Sequence, residues 1–424
     1  MKHMYDGLYQ KFIASSRVNT LSKMAHLYLV ILAGGEGTRL FPYSNPGRPK
    51  QLCPIGGNNP RTNTFIKRTI ANYINCGFNR ERIMVITSND YQTRLIKRQI
   101  TGPGGIPLDN IWEIPSSFGY SGTMVETTKR ITEFDSEAII LNTPSDHILT
   151  PDYKFIEAVF TAVINAEKGY VSAIGVKTNN LDTVMACGNI IYDQEKLNNG
   201  ITISKDFIEK PGITRARELI KNDISVCNTG ICAWRADALL EYAPKNTKDL
   251  TTERLMRAFN GYLRIVVGEF QWQDCGTLRG LYSALDKMPH TQNVVLGEGK
   301  INLDNSCKRS LFYADKGLSL NVSDTSDCAI IFTKVHNQPV LLISHLDESQ
   351  KIKELAEDYS RHEKILIDDF SLGARNNRVL YSNMYYEYSV GFVNVEDYIV
   401  HIVRRSNYGD IEAEIFKKKS TSTK

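Results

Sequence analysis

The chain has 424 residues, of which 42% are hydrophobic and 23% are charged, and its formal net charge is +4. This composition is typical of a folded protein and excludes intrinsic disorder as the dominant state. The charge is too small for a nucleic-acid-binding chain of this length, so no nucleic-acid partner is predicted. At roughly 100–200 residues per domain, two or three domains are expected.

The apolar runs and the cysteines indicate a cytoplasmic protein without a membrane anchor. Runs such as Leu27–Ala33 are far shorter than the ~18 residues that a membrane span needs. The eight cysteines form no C-x-x-C pair, and no histidine lies near Cys227 and Cys232 to complete a zinc site. We therefore expect reduced thiols. Met1–Met24 lacks the apolar core of a secretory signal and is interpreted as an extension outside the main fold.

From residue 25 the chain alternates β-rich runs with helical patterns. The apolar run Leu27–Leu32 predicts a strand buried on both faces. Apolar residues at helical spacing predict helices over 66–74 and 155–166, and Asp152 is the expected N-cap of the second helix. Further strands are predicted over 83–87, 137–141 and 171–176. This alternation predicts a Rossmann-like α/β layer sandwich with a mainly parallel mixed sheet.

The pattern changes near residue 290, after which short β runs are separated by Asp, Asn, Ser and Gly. No repeat of 20–50 residues is visible there. The elements predicted beyond this point are a helix over 352–359 and β-like stretches over 379–388 and 398–403. The predicted division of the chain is an N-terminal extension (1–24), a catalytic domain (25–290), a small β-rich region (291–415) and a basic, disordered tail (416–424).

A glycine-rich segment follows the first predicted strand. It reads Gly34-Gly35-Glu36-Gly37-Thr38-Arg39-Leu40, and Arg48-Pro49-Lys50-Gln51 comes shortly after. Glycines let backbone N–H groups turn toward an anion, and Arg39 and Lys50 add positive charge. The dinucleotide pattern fails because its third glycine position is Leu40, and no P-loop occurs in the chain. A glycine-rich turn with incidental basic residues is the simpler alternative, but the length of the pattern favours a triphosphate site.

These motifs resemble the signature of the sugar-1-phosphate nucleotidyltransferases, and within them the mannose-1-phosphate guanylyltransferases (GDP-mannose pyrophosphorylases). Four more motifs follow in the family's order: Pro144-Ser-Asp146-His147, Phe207-Ile-Glu209-Lys210-Pro211, Asn228-Thr-Gly230 and Trp272-Gln-Asp274-Cys-Gly276. Together the five motifs span residues 28–285. The resemblance implies the nucleotidyltransferase fold and the transfer of a nucleotidyl group from GTP to mannose 1-phosphate.

Asp146 and Asp274 are the candidate metal ligands. Each follows an apolar, strand-like segment, and Mg²⁺ is usually bound by one or two carboxylates together with phosphate oxygens. A turn or a helix cap is the alternative role for either aspartate. The resemblance implies that both bind Mg²⁺ and that Asp146 also lies at the nucleotide. For His147 we predict a structural role rather than that of a general base.

The resemblance also implies roles for the remaining motif residues. Those at the nucleotide are Gly34, Gly35, Gly37, Thr38, Gly122 and Thr123. Those at the sugar are Gly188, Glu209, Lys210 and Asn228, while Arg39, Lys50 and Lys210 support catalysis by neutralising phosphate charge. Glu209 and Lys210 are adjacent on a β-like stretch, so their side chains point to opposite faces unless the backbone bends, and Pro211-Gly212 offers such a bend.

The chain departs from the family pattern in two places that bear on specificity. Ile114–Met124 lacks the family's Arg-x-Thr element, and Met185–Gly188 lacks its tyrosines, so the base and the sugar stay open. A phosphomannose isomerase domain is not evident from the scattered histidines. Two other functions also stay open: a catalytically silent, sugar-nucleotide-binding regulatory subunit, and another phosphate-binding α/β protein. The sequence does not fix the oligomeric state, and a homo-oligomer is compatible with it.

Overall fold

The structure is a computed structural model of the chain. It describes residues 2–56, 63–248, 250–259, 261–335, 338–366, 382–383, 386–387, 389–392, 398–404 and 411–417. The chain divides into two compact units, each formed by two stretches of sequence. The first unit comprises Met1–Gly34 and Arg68–Trp272, and the second comprises Gly35–Lys67 and Gln273–Lys424.

Helices and strands alternate through the first part of the chain, and strands dominate after residue 290. The helices are α1 (Lys2–Lys23), α2 (Phe65–Asn75), α3 (Asp90–Ile100), α4 (Gly119–Thr132), α5 (Tyr153–Glu167), α6 (Leu181–Ala186), α7 (Ile213–Asn222), α8 (Ala236–Tyr242), α9 (Thr252–Ala258), α10 (Leu278–Ala284) and α11 (Ser349–Leu366). Among the residues that the structure describes, no helix is both long and apolar enough to traverse a membrane.

The strands fall into two series, one on each side of residue 290. The first series is β1 (Leu27–Leu32), β2 (Ile83–Thr87), β3 (Ile111–Glu113), β4 (Ile139–Pro144), β5 (His147–Leu149), β6 (Val171–Val176), β7 (Gly188–Tyr192), β8 (Ile201–Glu209), β9 (Ser225–Arg235), β10 (Leu263–Gly268) and β11 (Trp272–Asp274). The second series is β12 (Val294–Gly297), β13 (Lys300–Leu303), β14 (Leu311–Ala314), β15 (Leu318–Ser323), β16 (Cys328–Val335), β17 (Gln338–His345), β18 (Ser382–Asn383), β19 (Tyr386–Glu387), β20 (Ser389–Phe392), β21 (Tyr398–Arg404) and β22 (Ile411–Lys417).

The first unit is built on a mixed sheet with the strand order β3-β2-β1-β4-β9-β6-β10-β8-β7. Strands β3, β2, β1 and β4 run parallel, as do β6 and β10, whereas β9 is antiparallel to both β4 and β6. Leu32 and Pro144 are register partners on β1 and β4. Gly34 and Asp146, each two residues further along, therefore leave the sheet at the same carboxyl edge. The predicted α/β fold with a mixed sheet is confirmed.

The core of the first unit explains why β1 reads as a continuous apolar run. Tyr28 and Val30 belong to a buried cluster that includes Met124 of α4, and Leu29 is fully buried between them in sequence. Because successive side chains of a strand point to opposite faces, β1 is covered on both sides. Burying such a side chain contributes roughly 1.5–3 kcal/mol to folding.

Most predicted elements of the first unit have the expected bounds. Strands β1, β2 and β6 match the prediction, α2 and α5 contain the predicted helices, and the Asp152 carboxylate accepts the Phe155 N–H at 3.0 Å as the N-cap of α5. The strand predicted over 137–141 begins only at Ile139. The reason is local, because the Asp135 carboxylate accepts the Glu137 N–H at 3.2 Å and forms a turn before the strand.

The N-terminal segment forms α1, which packs against α5. Leu21 is buried, and Arg17 makes a 2.7 Å ion pair with Glu157. A Cβ atom on Gly77 would lie 2.4 Å from the Val18 carbonyl oxygen, so the helix also approaches the loop after α2 closely. We expected this segment to be an extension outside the main fold. In the structure, its second half packs against other elements of the first unit.

The second unit contains parallel strands stacked in rungs about 18 residues apart. One stack is β12-β14-β16, whose strands follow one another at this spacing, and the other is β13-β15-β22, whose last strand comes from Ile411–Lys417, much further along the chain. Three side-chain contacts repeat a separation of 18 residues along the chain: Arg309 with Asp327, Thr325 with Cys307, and Thr333 with Asp315. The second unit is thus a short stack of β-coils, capped by the antiparallel pair β16–β17. The domain boundary predicted at residue 290 stays a prediction.

The elements predicted near the C-terminus are partly within the described residues. Helix α11 contains the predicted helix 352–359, and β21 matches the predicted strand 398–403. The stretch 379–388 contains β18 and β19, and its other residues lie outside the described part. The predicted disordered tail begins at residue 416, inside β22, and residues 418–424 lie outside the described residues.

A buried guanidinium joins the segment around Lys50 to the β-coils of the second unit. Arg48 donates to the Tyr313 hydroxyl at 2.6 Å, to the Asp315 carboxylate at 2.7 Å, to the Thr333 hydroxyl at 2.8 Å and to the Tyr43 carbonyl at 2.9 Å. About one fifth of either charged side chain, Arg48 or Asp315, is exposed. The guanidinium therefore fixes this segment to strands that lie nearly 300 residues later in the chain.

The pKa of Asp315 reflects this arrangement. Burial raises it, but the charge of Arg48 and the hydrogen bonds from Thr333 and Tyr313 outweigh burial, so the pKa lies below its ordinary value. A carboxyl group with a lowered pKa in the folded state stabilises the protein above its unfolded-state pKa of about 3.9, and this contribution is lost as the pH falls through the folded-state value.

Helix α11 supports the glycine segment from the C-terminal part of the same unit. It packs against the 3₁₀ turn Thr38–Leu40, and the ring of Tyr359 lies 5.1 Å from that of Phe41. Ile352 lies two turns and Ala356 one turn before Tyr359 on the same helical face, and both are buried. The C-terminal part of the chain therefore contributes directly to the support of this turn.

We predict that Asp315→Asn lowers the free energy of unfolding by about 3 kcal/mol at pH 7, because it leaves a largely buried Arg48 without its counter-charge. The difference from the parent protein should narrow as the pH falls below about 4 toward the lowered folded-state pKa of Asp315, because the unfolded chain then binds a proton at this carboxyl more readily than the folded protein does. Urea unfolding at several pH values measures both effects. The control is Asp347→Asn, which removes a more exposed partner of Arg279 and should cost less than about 1 kcal/mol. Equal losses for the two variants would contradict the prediction.

Candidate active site

The glycine segment begins at the carboxyl end of β1 in the first unit. Ala33 continues the strand by donating its N–H to the Ile86 carbonyl at 2.7 Å, and the Gly34 carbonyl accepts the Ser88 hydroxyl at 2.8 Å. A Cβ atom on Gly34 would lie 3.1 Å from that of Ser88. This glycine therefore allows the chain to leave the sheet close to the end of β2.

In the second unit, Gly37 joins the glycine segment to the Lys50 segment. Gly37 has φ +72° and precedes the 3₁₀ turn Thr38–Leu40. A Cβ atom at this position would be strained and would lie 2.7 Å from the Lys50 Cβ. The Gly35 carbonyl accepts the Gln51 side-chain amide at 3.0 Å, and Arg39 on the turn is exposed. The structure therefore brings the predicted loop and Lys50 together.

Lys50 also lies beside one of the two predicted metal ligands. Its Nζ is 3.9 Å from Asp274 Oδ1, and its side chain is only 6% exposed, whereas that of Asp274 is 43% exposed. The other side of the ammonium group faces the ring of Phe65, 6.0 Å from its centroid. Asp274 is oriented by the Gly276 N–H, which donates to Oδ1 at 2.8 Å. A distance of 3.9 Å is too long for a hydrogen bond, so this contact is an ion pair without a direct hydrogen bond.

In the first unit, Asp146 lies two residues beyond β4, next to His147. The two side chains are 3.9 Å apart, and the Asp146 carboxylate is 26% exposed. The Trp272 indole N–H donates to His147 Nδ1 at 3.1 Å, and the two rings pack edge to face. Because Nδ1 accepts this bond, it carries no proton. This contact gives His147 the structural role that the sequence analysis predicted for it.

Three of the four predicted sugar residues lie on three adjoining strands of the first unit, and the fourth, Lys210, directly follows one of these strands. Gly188 on β7 is the register partner of Glu209 on β8, and Asn228 on β9 follows Cys227, the partner of Asn189. A Cβ atom on Gly188 would lie 2.4 Å from the buried ring of Phe207 and 2.9 Å from the Glu209 carboxylate. Glycine is therefore required chiefly by the Phe207 ring, and the Glu209 carboxylate lies close to the same backbone.

The backbone of Lys210 explains how the adjacent side chains of Glu209 and Lys210 can lie on the same side of the chain. The sequence analysis located a possible bend at Pro211-Gly212, but Lys210 itself has φ +44° in the left-handed region. Its N–H donates to the Cys187 carbonyl at 3.2 Å, and its Nζ lies 3.6 Å from Glu209 Oε1. The two side chains therefore reach the same place, at a backbone cost of roughly 1–2 kcal/mol.

The two predicted residues on α4 have contacts of their own within the first unit. Gly122 is buried, and a Cβ atom there would lie 2.1 Å from the Thr247 carbonyl oxygen. The Thr123 hydroxyl donates to the Gly119 carbonyl at 2.6 Å, one helical turn earlier. Close packing therefore accounts for the glycine at position 122, and a hydrogen bond within α4 accounts for the Thr123 hydroxyl. The role of both residues at the nucleotide stays a prediction.

Two residues of this region were missed as site residues by the sequence analysis. Arg48 was quoted in a motif but given no role, although its side chain holds the Lys50 segment. Tyr120 lies in the segment that departs from the family pattern, and its hydroxyl donates to the Gly230 carbonyl at 2.7 Å. The available signal for Arg48 was its position two residues before Lys50, whereas no sequence pattern points to Tyr120.

Comparisons with known proteins identify the family of the chain. A family model described as Nucleotidyl transferase matches residues 28–291. The alginate biosynthesis protein AlgA of Pseudomonas syringae pv. tomato is 23% identical over 358 residues, which cover 77% of this chain and 70% of that protein. Mannose-1-phosphate guanylyltransferase RfbM of Salmonella typhimurium is 22% identical over 367 residues, which cover 79% of this chain and 73% of that protein.

A solved structure extends the likeness to the fold. Mannose-1-phosphate geranyltransferase from Thermus thermophilus superposes with a TM-score of 0.63 at 22% identity, over 79% of this chain and 99% of that chain. The family model covers more than half of the chain, and its bounds enclose all five motifs. The chain therefore belongs to the nucleotidyl transferase family and is an enzyme of the sugar-1-phosphate nucleotidyltransferase type.

Proposed function

We propose that this enzyme transfers a guanylyl group from GTP to mannose 1-phosphate, giving GDP-mannose and pyrophosphate. The proposal rests mainly on the Glu209–Lys210 pair, whose charged groups lie 3.6 Å apart at the end of β8, with the Glu209 carboxylate close to Gly188. An ammonium group beside a carboxylate suits a sugar phosphate, which offers a phosphate to one and hydroxyl groups to the other. The name of RfbM, a mannose-1-phosphate guanylyltransferase, supports the choice of base and sugar.

The reaction needs no protein nucleophile. A phosphate oxygen of the sugar 1-phosphate attacks the α-phosphorus of the triphosphate, and the bond from this phosphorus to the bridging oxygen of the β-phosphate breaks. Pyrophosphate leaves with the electron pair of that bond. Two polyanions repel each other, so the protein lowers the barrier chiefly by positioning them and by cancelling charge.

This chain's own residues divide that task. The backbone N–H groups of Gly34, Gly35, Gly37 and Thr38 bind phosphate oxygens of the nucleotide, with Gly122 and Thr123 near the base. Arg39 and Lys50 neutralise the charge on the triphosphate. Lys210 binds the phosphate of the sugar 1-phosphate, and Glu209 and Asn228 bind its hydroxyl groups from either side of Gly188. The low exposure of Lys50 strengthens its interaction with a phosphate because little water screens it.

Asp146 and Asp274 are the residues that would hold a Mg²⁺ ion. Their partly exposed carboxylates, at 26% and 43%, are oxygen donors of the kind that this hard cation prefers, with phosphate oxygens and water completing its shell. When bound, the ion supplies charge neutralisation on the phosphates of the nucleotide. The Gly276 N–H fixes the direction of the Asp274 carboxylate, and Lys50 limits the negative charge there before a ligand arrives.

We expect pyrophosphate release to be fastest with GTP and mannose 1-phosphate. The measurement is a coupled pyrophosphate assay with the four common nucleoside triphosphates crossed with mannose, glucose, N-acetylglucosamine and galactose 1-phosphates. A clear preference for another pair would keep the reaction and change the substrates. Absence of turnover with every pair would contradict the proposed function.

Asp274→Asn should lower kcat by at least about a hundredfold, because it removes a charge directed at the reacting phosphates while keeping the size of the side chain. Removing divalent cations with EDTA should abolish turnover by the parent enzyme, and added Mg²⁺ should restore it. Asp286→Asn is the matched control, since Asp286 is an exposed carboxylate in the same stretch of chain. Activity of Asp274→Asn within a few fold of the parent value would refute the assigned role.

Lys210→Met should raise the KM for the sugar 1-phosphate about 10-fold to 100-fold, the value expected for loss of a charge-assisted hydrogen bond. The KM for the nucleotide should change little. Lys205→Met is the control, because Lys205 is a similarly exposed lysine on β8, the strand that Lys210 follows, and is paired with Asp193. Steady-state kinetics with each substrate varied in turn separates the two effects. A larger change in the KM for the nucleotide would place Lys210 at the other substrate.

A further inference from the structure

A small hydrogen-bond network surrounds Tyr120 at the carboxyl edge of the sheet in the first unit. Tyr120 is the second residue of α4, and 37% of its surface is exposed. Its hydroxyl donates to the Gly230 carbonyl at 2.7 Å and accepts the Asn142 side-chain amide at 2.9 Å. The network therefore links the start of α4 to the turn in β9 that carries the Asn228-Thr229-Gly230 motif.

Gly230 is held tightly by these neighbours. It has φ +72°, and a Cβ atom at this position would lie 2.8 Å from the Pro144 ring and 3.0 Å from the Tyr120 hydroxyl. Its N–H donates to Asn228 Oδ1 at 3.1 Å. One peptide group on each side of Gly230 is thus fixed, the carbonyl by Tyr120 and the N–H by the Asn228 side chain.

We infer that Tyr120 is a positioning residue for the sugar half of the reaction, acting through Asn228. Tyr120 fixes the carbonyl of Gly230, and the N–H of the same residue engages Asn228 Oδ1. Because Oδ1 accepts this N–H, the Asn228 amide is held in one orientation, and its Nδ2 donors suit the oxygen of a sugar hydroxyl. The inference rests on the proposed function, because it concerns how the sugar 1-phosphate is recognised.

Asn142 shows that the network is retained at an energetic cost. It is fully buried, and its Nδ2 lies 2.9 Å from the Tyr120 hydroxyl and 3.3 Å from the Gly230 carbonyl. Its Oδ1 is buried and has no hydrogen-bond partner among the described residues. Turning the amide over would bring Oδ1 against the Gly230 carbonyl, so the unpaired atom is a consequence of holding Tyr120 and Gly230. If position 120 only filled space with an apolar side chain, no buried amide would be needed beside it. The Asn142 amide therefore indicates that the Tyr120 hydroxyl itself matters.

The test is a double-mutant cycle with Tyr120→Phe and Asn228→Ala, using the substrate pair that the parent enzyme turns over best. Tyr120→Phe keeps the ring and removes the hydroxyl, so it should raise the KM for the sugar 1-phosphate about fivefold and leave the KM for the nucleotide unchanged. In the Asn228→Ala background the same change should have no further effect, because the group that Tyr120 positions is already gone.

The matched control is Tyr91→Phe. Tyr91 is likewise the second residue of a helix, α3, and is 46% exposed, so its substitution should leave both KM values unchanged. A merely structural role for Tyr120 would lower the melting temperature or affect the KM values of both substrates alike. Either that result would overturn the inference, or the finding that Tyr120→Phe raises the KM for the sugar 1-phosphate by the same factor in the parent enzyme and in Asn228→Ala.

The failure of this inference can be told apart from failure of the proposed function. Turnover by the parent enzyme together with an unchanged KM in Tyr120→Phe refutes the inference alone. If the parent enzyme turns over no substrate pair, the proposed function fails, and calorimetric binding of mannose 1-phosphate then decides the matter. In that measurement Tyr120→Phe must weaken binding about fivefold, and equal binding by both proteins refutes the inference.

Discussion

The placement of one largely buried guanidinium is the constraint on which the glycine segment and Lys50 depend. Three of the first four residues of that segment are glycines, so its shape depends strongly on contacts from neighbouring elements. Arg48 supplies this by bonding to Tyr313, Asp315 and Thr333 on the β-coils, two residues before Lys50. A buried ion pair contributes little net stability compared with apolar packing. Its contribution is positional, because it sets where the Lys50 ammonium lies relative to Asp274 and Gly37.

The charged pairs of the candidate site share a geometry that differs from that of the Arg48 anchor. Lys50 lies 3.9 Å from Asp274 and Lys210 lies 3.6 Å from Glu209, whereas Arg48 contacts Asp315 at 2.7 Å. The short pair is a permanent part of the fold. The two longer pairs lie at the two places where the proposed function puts phosphate groups. Each of these two contacts is weaker than the hydrogen-bonded pair of Arg48 and Asp315, so less interaction energy is lost from it if a phosphate displaces the carboxylate.

The features that the sequence predicted well depend on local patterns. Strand β1 is apolar at every position because both of its faces are covered, and Asp152 caps α5 because a short carboxylate reaches the next turn. The features that it did not predict depend on distant contacts. The β-coils repeat about every 18 residues, but stacked positions share burial rather than identity, as Leu311 and Ala329 do. The bend at Lys210 requires the Cys187 carbonyl, which no pattern in residues 207–212 reveals.

The segment Ile114–Met124, which lacks the family's Arg-x-Thr element, is held by contacts of its own. Its residues bond to the first unit's own backbone: Gly122 packs on the Thr247 carbonyl, the Thr123 hydroxyl returns to Gly119, and Tyr120 bonds to Gly230. The side chains of Tyr120 and Thr123 are thereby engaged within the first unit, where Tyr120 links the start of α4 to the Asn228-Thr229-Gly230 motif. The residues proposed to neutralise the phosphates, Arg39, Lys50 and Lys210, lie on other elements. Under the proposed function, a change in this segment therefore alters the surroundings of the base and leaves the residues proposed for the phosphates in place.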